Sequence, residues 1–135
     1  MKVLRKPEII YLCGGINSLS DAECTDWREA TKARLDSKYA FLDPMRRDYR
    51  GIEAEATKDI VHGDLYDINA SDILLVNASR PSWGTAMETF YAHRNHKTVI
   101  TVCPSDKPSP WLVYHSDYIF KTFDEAFELL EAWTV

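Results

Sequence analysis

Short apolar runs alternate with stretches of helical period along the chain. Glu8 to Cys13 is an apolar run closed by Gly14-Gly15, which predicts a strand and then a tight loop where backbone can approach a ligand. Ser20 or Asp21 suits the N-cap of a helix from Ala22 to about Leu35, with Trp27, Ala30, Thr31 and Leu35 on one side. Tyr39 to Leu42 reads as a second strand, and a polar connection runs from Asp43 to about Thr57. From Lys58, Ile60, Val61, Leu65 and Ile68 recur at helical intervals, with Asp64 and Asp67 among them, until the buried-strand pattern of Asp72 to Asn77. A turn-forming stretch from Pro81 then enters a helix from Thr85 to about Asn95, with Met87, Phe90 and Tyr91 expected in the core. Thr98 to Val102 and Tyr118 to Phe120 complete the strands, and Asp124 to Trp133 is a closing helix carrying Ala126, Phe127 and Leu130 inward.

Strands that alternate with helices imply an α/β fold: a doubly wound, five-stranded parallel sheet, flavodoxin-like, in the order 2-1-3-4-5. The switch point then lies between the first and third strands, so Tyr11 to Asn17 and Asn77 to Glu88 wall one crevice. At 135 residues a single domain over residues 1–135 is expected, with no linker or repeat.

Composition narrows the partners. The net charge is -5 and the basic residues gather mainly in Arg46-Arg47-Asp48-Tyr49-Arg50, so nucleic acid is a poor partner, because duplex binding neutralises many phosphates at once. No signal-peptide segment follows the basic start at residues 1–6, and no apolar run reaches the roughly eighteen residues of a membrane span. The expectation is a soluble, cytoplasmic protein that binds a small molecule. Cys13, Cys24 and Cys103 are odd in number and lack paired spacing, and the four histidines lack metal spacing, so neither a disulfide framework nor a metal site is implied.

The crevice brings together Tyr11, the Gly14-Gly15 loop, the turn from Ser82 to Thr85, Glu88, and Asp64 or Asp67 from the preceding helix. Two carboxylates in one pocket suit acid and base work when their surroundings push their pKa values apart. A plainer account also stands: an acid in a helix's first turns is a favourable macrodipole partner.

Four segments carry a resemblance: Tyr11-Leu12-Cys13-Gly14-Gly15-Ile16, Asp43 to Gly51, Asp64-Leu65-Tyr66-Asp67-Ile68, and Gly84 to Glu88 with Tyr91-Ala92. In order and spacing they resemble the nucleoside 2-deoxyribosyltransferase family. The resemblance implies that Glu88 attacks the anomeric carbon of a 2'-deoxynucleoside and must be ionised, that Tyr11 hydrogen-bonds and orients it, and that Asp64 protonates the leaving base and deprotonates the incoming one. Asp67 is the weaker acid candidate, a surface residue on the same helix. Gly14, Asn17, Ser82, Gly84, Ser109 and Arg47 are the implied substrate contacts, and no metal or organic cofactor is implied.

The resemblance is divided. Ser82 stands six residues before Glu88, where the best-known transferases carry an acid, and it is similar to the related deoxynucleoside 5'-monophosphate N-glycosidases. Ser109 again resembles that hydrolase branch, at a place that reaches the sugar's 5' end in a neighbouring subunit. A homo-oligomer, at least a dimer, is therefore expected. Asn17 replaces the hydrolases' arginine, whereas the segment from Arg46 to Gly51 is similar to the transferases. Arg46, Arg47 and Arg50 suit either a phosphate or a solvated loop, and Trp83 and Trp111 suit either base stacking or a subunit contact. The implied partners are a deoxynucleoside or deoxynucleotide and a free nucleobase.

Overall fold

The computed structural model describes residues 7–134, so the basic start read above lies outside the described residues. Five parallel strands, β1 (Ile9–Gly14), β2 (Ala40–Leu42), β3 (Ile73–Asn77), β4 (Thr98–Val102) and β5 (Tyr118–Phe120), form one sheet in the order β2-β1-β3-β4-β5. The helices are α1 (Asp21–Leu35), α2 (Thr57–Ala70), α3 (Trp83–Arg94), α4 (Pro110–His115) and α5 (Phe123–Ala132). Among the described residues, no helix is long and apolar enough to cross a membrane.

The period of two along each strand divides the core. Ile10, Leu12, Ile73, Leu75, Ile100 and Val102 pack with Leu35 of α1 and Phe127 and Leu130 of α5. Tyr11, Cys13, Leu74, Val76 and Val99 face the other way, onto Ile68 of α2 and Ala92 of α3. Each fully buried side chain of this size contributes about 1.5–3 kcal/mol. Tyr11 is thereby committed to the α2 and α3 side.

Several sequence expectations are corrected by packing. The inward stripe of α1 is Cys24, Arg28, Thr31 and Leu35, and Ala30 is exposed. An arginine in the middle of a buried stripe breaks the hydrophobic signal that marks the face. Ser20 is the N-cap of α1, with its hydroxyl accepting from the Glu23 amide and the Glu23 carboxylate accepting from the Ser20 amide, both at 3.1 Å. Val61 is exposed on α2. Met87 and Phe90 lie outside the core: α3 begins at Trp83, two residues earlier than expected, and buries Thr85, Thr89 and Ala92 instead.

Candidate active site

The carboxyl ends of β1 and β3 open onto a cleft of about 180 Å³. Gly14, Asn17, Arg47, Asp64, Ser82, Gly84 and Glu88 all line it. Behind them Tyr11, wholly buried on β1, donates its hydroxyl to Oε2 of Glu88 on α3. The strand's two-residue period aims that hydroxyl at the helix layer, and the first turns of α3 carry Glu88 to meet it.

Gly84 lies one helical turn before Glu88, and a side chain there would bring its Cβ to 4.0 Å from Oε1. That is ordinary van der Waals contact, so Oε1 is the Glu88 oxygen that lies next to Gly84. Gly84 therefore sits within α3 and not in the preceding turn, because Ser82 is the N-cap and its hydroxyl accepts from the Thr85 amide at 3.4 Å. At Gly14 the free space is taken up by packing: a Cβ would come within 2.7 Å of the Trp27 ring.

Electrostatics set the carboxylates apart from ordinary ones. Glu88 is half-exposed as a residue, yet protein crowds its carboxyl, and this burial, reinforced by Asp64, pushes its pKa up to about 8 against the hydrogen bond from Tyr11. Burial likewise raises Asp64 to about 6, opposed mainly by Arg47. The required ionised Glu88 is thus disfavoured in the free protein. With both values raised, the two carboxyls of this cleft together carry about one proton around neutral pH, and the hydrogen bonds made to each decide where it rests. Tyr11, itself raised by burial and by Glu88, remains a neutral donor. Cys13 is fully buried, and burial pushes its thiol well up, so it is an inert core residue.

Two features of the surroundings escaped the sequence. Arg28 is wholly buried on α1 and donates to Leu12 O at 3.3 Å, Gly14 O at 3.0 Å and Cys24 O at 2.6 Å, with Asp43 at 3.6 Å. The reason lies in sheet geometry. Glu8 O accepts from Ala40 on the β2 side and Ile9 O accepts from Asp72 on the β3 side, so the carbonyls of even-numbered β1 residues face β2. β2 ends at Leu42, paired with Tyr11, and the guanidinium supplies the donors that the missing strand would have given. Asp67 is the second feature. Far from solvating the surface, it is 1% exposed, gripped by Arg46 through two contacts of 2.8 Å and by Arg47 at 2.6 Å. Burial alone would raise its carboxyl, but the arginines outweigh that and hold it below the usual range. Arg46 and Arg47 are therefore ion-paired and not free, although Arg46 remains exposed to solvent, and Arg50 pairs with Asp48 and Asp21. The adjacent arginines after Asp43 were the one available signal.

A family model described as nucleoside 2-deoxyribosyltransferase matches residues 10–130. The chain belongs to this family. The deoxyribosyltransferase fold recurs in solved structures. A 2-desoxiribosyltransferase from Leishmania mexicana superposes with a TM-score of 0.68 at 19% identity, covering 95% of this chain and 100% of that one. A 2-deoxyribosyltransferase from Bacillus psychrosaccharolyticus gives 0.67 at 15%, covering 88% and 90%, and a CMP N-glycosidase from Clostridium botulinum gives 0.63 at 16%, covering 92% and 99%. At such identities the likeness is one of fold. No curated protein sequence matches.

Within this deoxyribosyltransferase-family chain, Ser109 stands apart from the carboxylates. It caps α4, accepting from the Trp111 amide at 3.2 Å, and lines a separate groove of about 670 Å³ with Trp83, Phe90, Trp111 and His115. Trp83 and Trp111 are first-turn helical residues and not loop residues, and both are highly exposed, at 87% and 73%. Ser82 borders this groove and the cleft at Glu88 alike.

Proposed function

We propose that this chain transfers 2-deoxyribose between nucleobases, with Glu88 as nucleophile, Asp64 as general acid and base, and Tyr11 as the residue that orients Glu88. The supporting observation is the Tyr11 hydroxyl donated to Glu88 at the wall of a cleft that Asp64 also lines. With Oε2 tied to Tyr11, Oε1 beside the bare Cα of Gly84 is the attacking atom. It bonds to C1' as the C1'–N bond breaks, the bonding pair goes to the base, and the Asp64 proton follows, so that the base leaves neutral. The sugar is then held as an ester of Glu88. An incoming base attacks C1', the ester oxygen departs as carboxylate, and Asp64 takes up the proton of the new base, so two inversions retain configuration. One shared proton serves this cycle: a base nitrogen that accepts from Asp64 draws the proton there, and the Tyr11 donor favours Glu88 as the anion.

A second reading, hydrolysis of a deoxynucleoside 5'-monophosphate, is favoured by Ser82. This hydroxyl caps the twelve-residue α3 beside the cleft, and a helix N-terminus with no acid at its mouth suits a phosphate. The homo-oligomer proposed with either reading is supported by the exposed Trp83, Met87, Phe90, Trp111 and Tyr114 on α3 and α4. Incubation with a deoxynucleoside and a different free base, and separately with the 5'-monophosphate, tests the assignment. A new nucleoside identifies the transferase and free base with sugar phosphate the hydrolase, while no product from either substrate refutes both.

A further inference from the structure

We propose that Arg47 is the counter-ion of Asp64, seated on Gly63 and shared with Asp67, so that Asp64 can lose its proton in a buried site; this rests on Asp64 being the acid and base described above. The first observation is a glycine in the middle of α2, where alanine would favour the helix by about 1 kcal/mol. A Cβ at Gly63 would stand 3.1 Å from Nη2 of Arg47 and 3.2 Å from both Cζ and Nε. The guanidinium therefore lies face-on against the helix backbone, so close that a Cβ there would push it back by a few tenths of an ångström.

From that seat Nη2 bonds Oδ2 of Asp67 at 2.6 Å and lies 3.7 Å from Oδ1 of Asp64. Asp67 does not need Arg47 alone, because Arg46 already grips both its oxygens. Arg47 is thus positive charge in surplus at Asp67, held just outside hydrogen-bond reach of Asp64. That spacing has a chemical use. A full hydrogen bond would keep Asp64 ionised and spoil it as an acid, whereas no cation would leave its anion stranded once the departing base has taken the proton. The groups that act on Asp64 are Asp67 on its own helix, Glu88 from α3, Tyr11 and Cys13 from β1, Arg46 and Arg47 from the segment after β2, and Arg28 from α1. Of the cations, Arg28 is committed to β1 carbonyls and Asp43, and Arg46 to Asp67.

The test follows Asp64 by carboxyl-carbon NMR titration of the free protein. Gly63→Ala, which favours the helix, pushes Arg47 back from Asp64 and moves the Asp64 midpoint up by about 0.3 pH unit. Asp67→Asn releases Arg47 towards Asp64 and moves it down. In an Arg47→Met background the midpoint is already raised, and Gly63→Ala adds nothing. A Gly63→Ala midpoint equal to that of the parent, or an equal shift with and without Arg47, overturns the counter-ion role. The NMR readout needs no turnover, so midpoints that move as stated in a protein without transfer or hydrolysis refute the functional reading and leave the counter-ion standing.

Discussion

Tyr11→Phe removes a single oxygen from the wall of the cleft and leaves the ring that fills the core between α2 and α3. The hydroxyl donates to a carboxylate, and such a bond is worth about 1.5–3 kcal/mol, which at tenfold per about 1.4 kcal/mol is a 10- to 150-fold loss of kcat. The loss has a pH signature. In the proposed reaction Glu88 attacks only when ionised, and the Tyr11 hydrogen bond opposes the rise imposed on it by burial and by Asp64. Without that donor the Glu88 pKa climbs further, so the acid limb of the rate profile moves to higher pH. The assay is base exchange followed across pH 5–9, with thermal unfolding at neutral pH as a control, where Glu88 is largely neutral in the free protein and a loss of about 0.5–1.5 kcal/mol is expected. A twofold or smaller change in kcat with an unmoved acid limb would show that Tyr11 is only a core tyrosine.

Asp64→Asn should lower kcat by about 10²–10⁴ for an ordinary deoxynucleoside, and by far less for a 7-methylated purine deoxynucleoside, whose base departs without needing a proton. Glu88→Gln should abolish turnover and stabilise the fold. The Glu88 carboxyl is raised in the folded state from its ordinary 4.5 to about 8, so its protonation supports folding below pH 4.5, and that support is lost as pH climbs to 8. The gain in unfolding free energy for Glu88→Gln should therefore grow from pH 5 to pH 8, reaching on the order of 1–3 kcal/mol; a gain that shrinks over this window contradicts the burial argument. Arg28→Met leaves the Leu12, Gly14 and Cys24 carbonyls without their buried donor, at about 1–3 kcal/mol each, so a Tm fall of more than about 10 °C in a thermal melt is expected.

The sheet was legible because its strands are short apolar runs closed by turn residues, and because one apolar face per helix leaves few ways to stack them. The strand order and the crevice at the switch point follow from that pattern, and the structure brings Tyr11, Asp64 and Glu88 together there. What stayed hidden depends on partners that a one-dimensional pattern does not write down. Arg28 is bound by backbone carbonyls left over where β2 stops, and no side chain near it in sequence announces them. Asp67 looked like a solvated neighbour of Asp64 because its arginines lie twenty residues upstream. Met87 and Phe90 have helical spacing, which does not distinguish a core face from one left outside. The raised pKa of Glu88 was not foreseen, since motif position conveys a role but not the burial that shifts a pKa.

Mass spectrometry of the protein mixed with a 2'-deoxynucleoside and quenched in acid tests the central claim most directly. A deoxyribosyl ester on the peptide carrying Glu88, absent in Glu88→Gln and discharged by adding a second base, is the predicted result. Turnover by the unmodified protein with no adduct at Glu88, or an adduct that survives in Glu88→Gln, would contradict it.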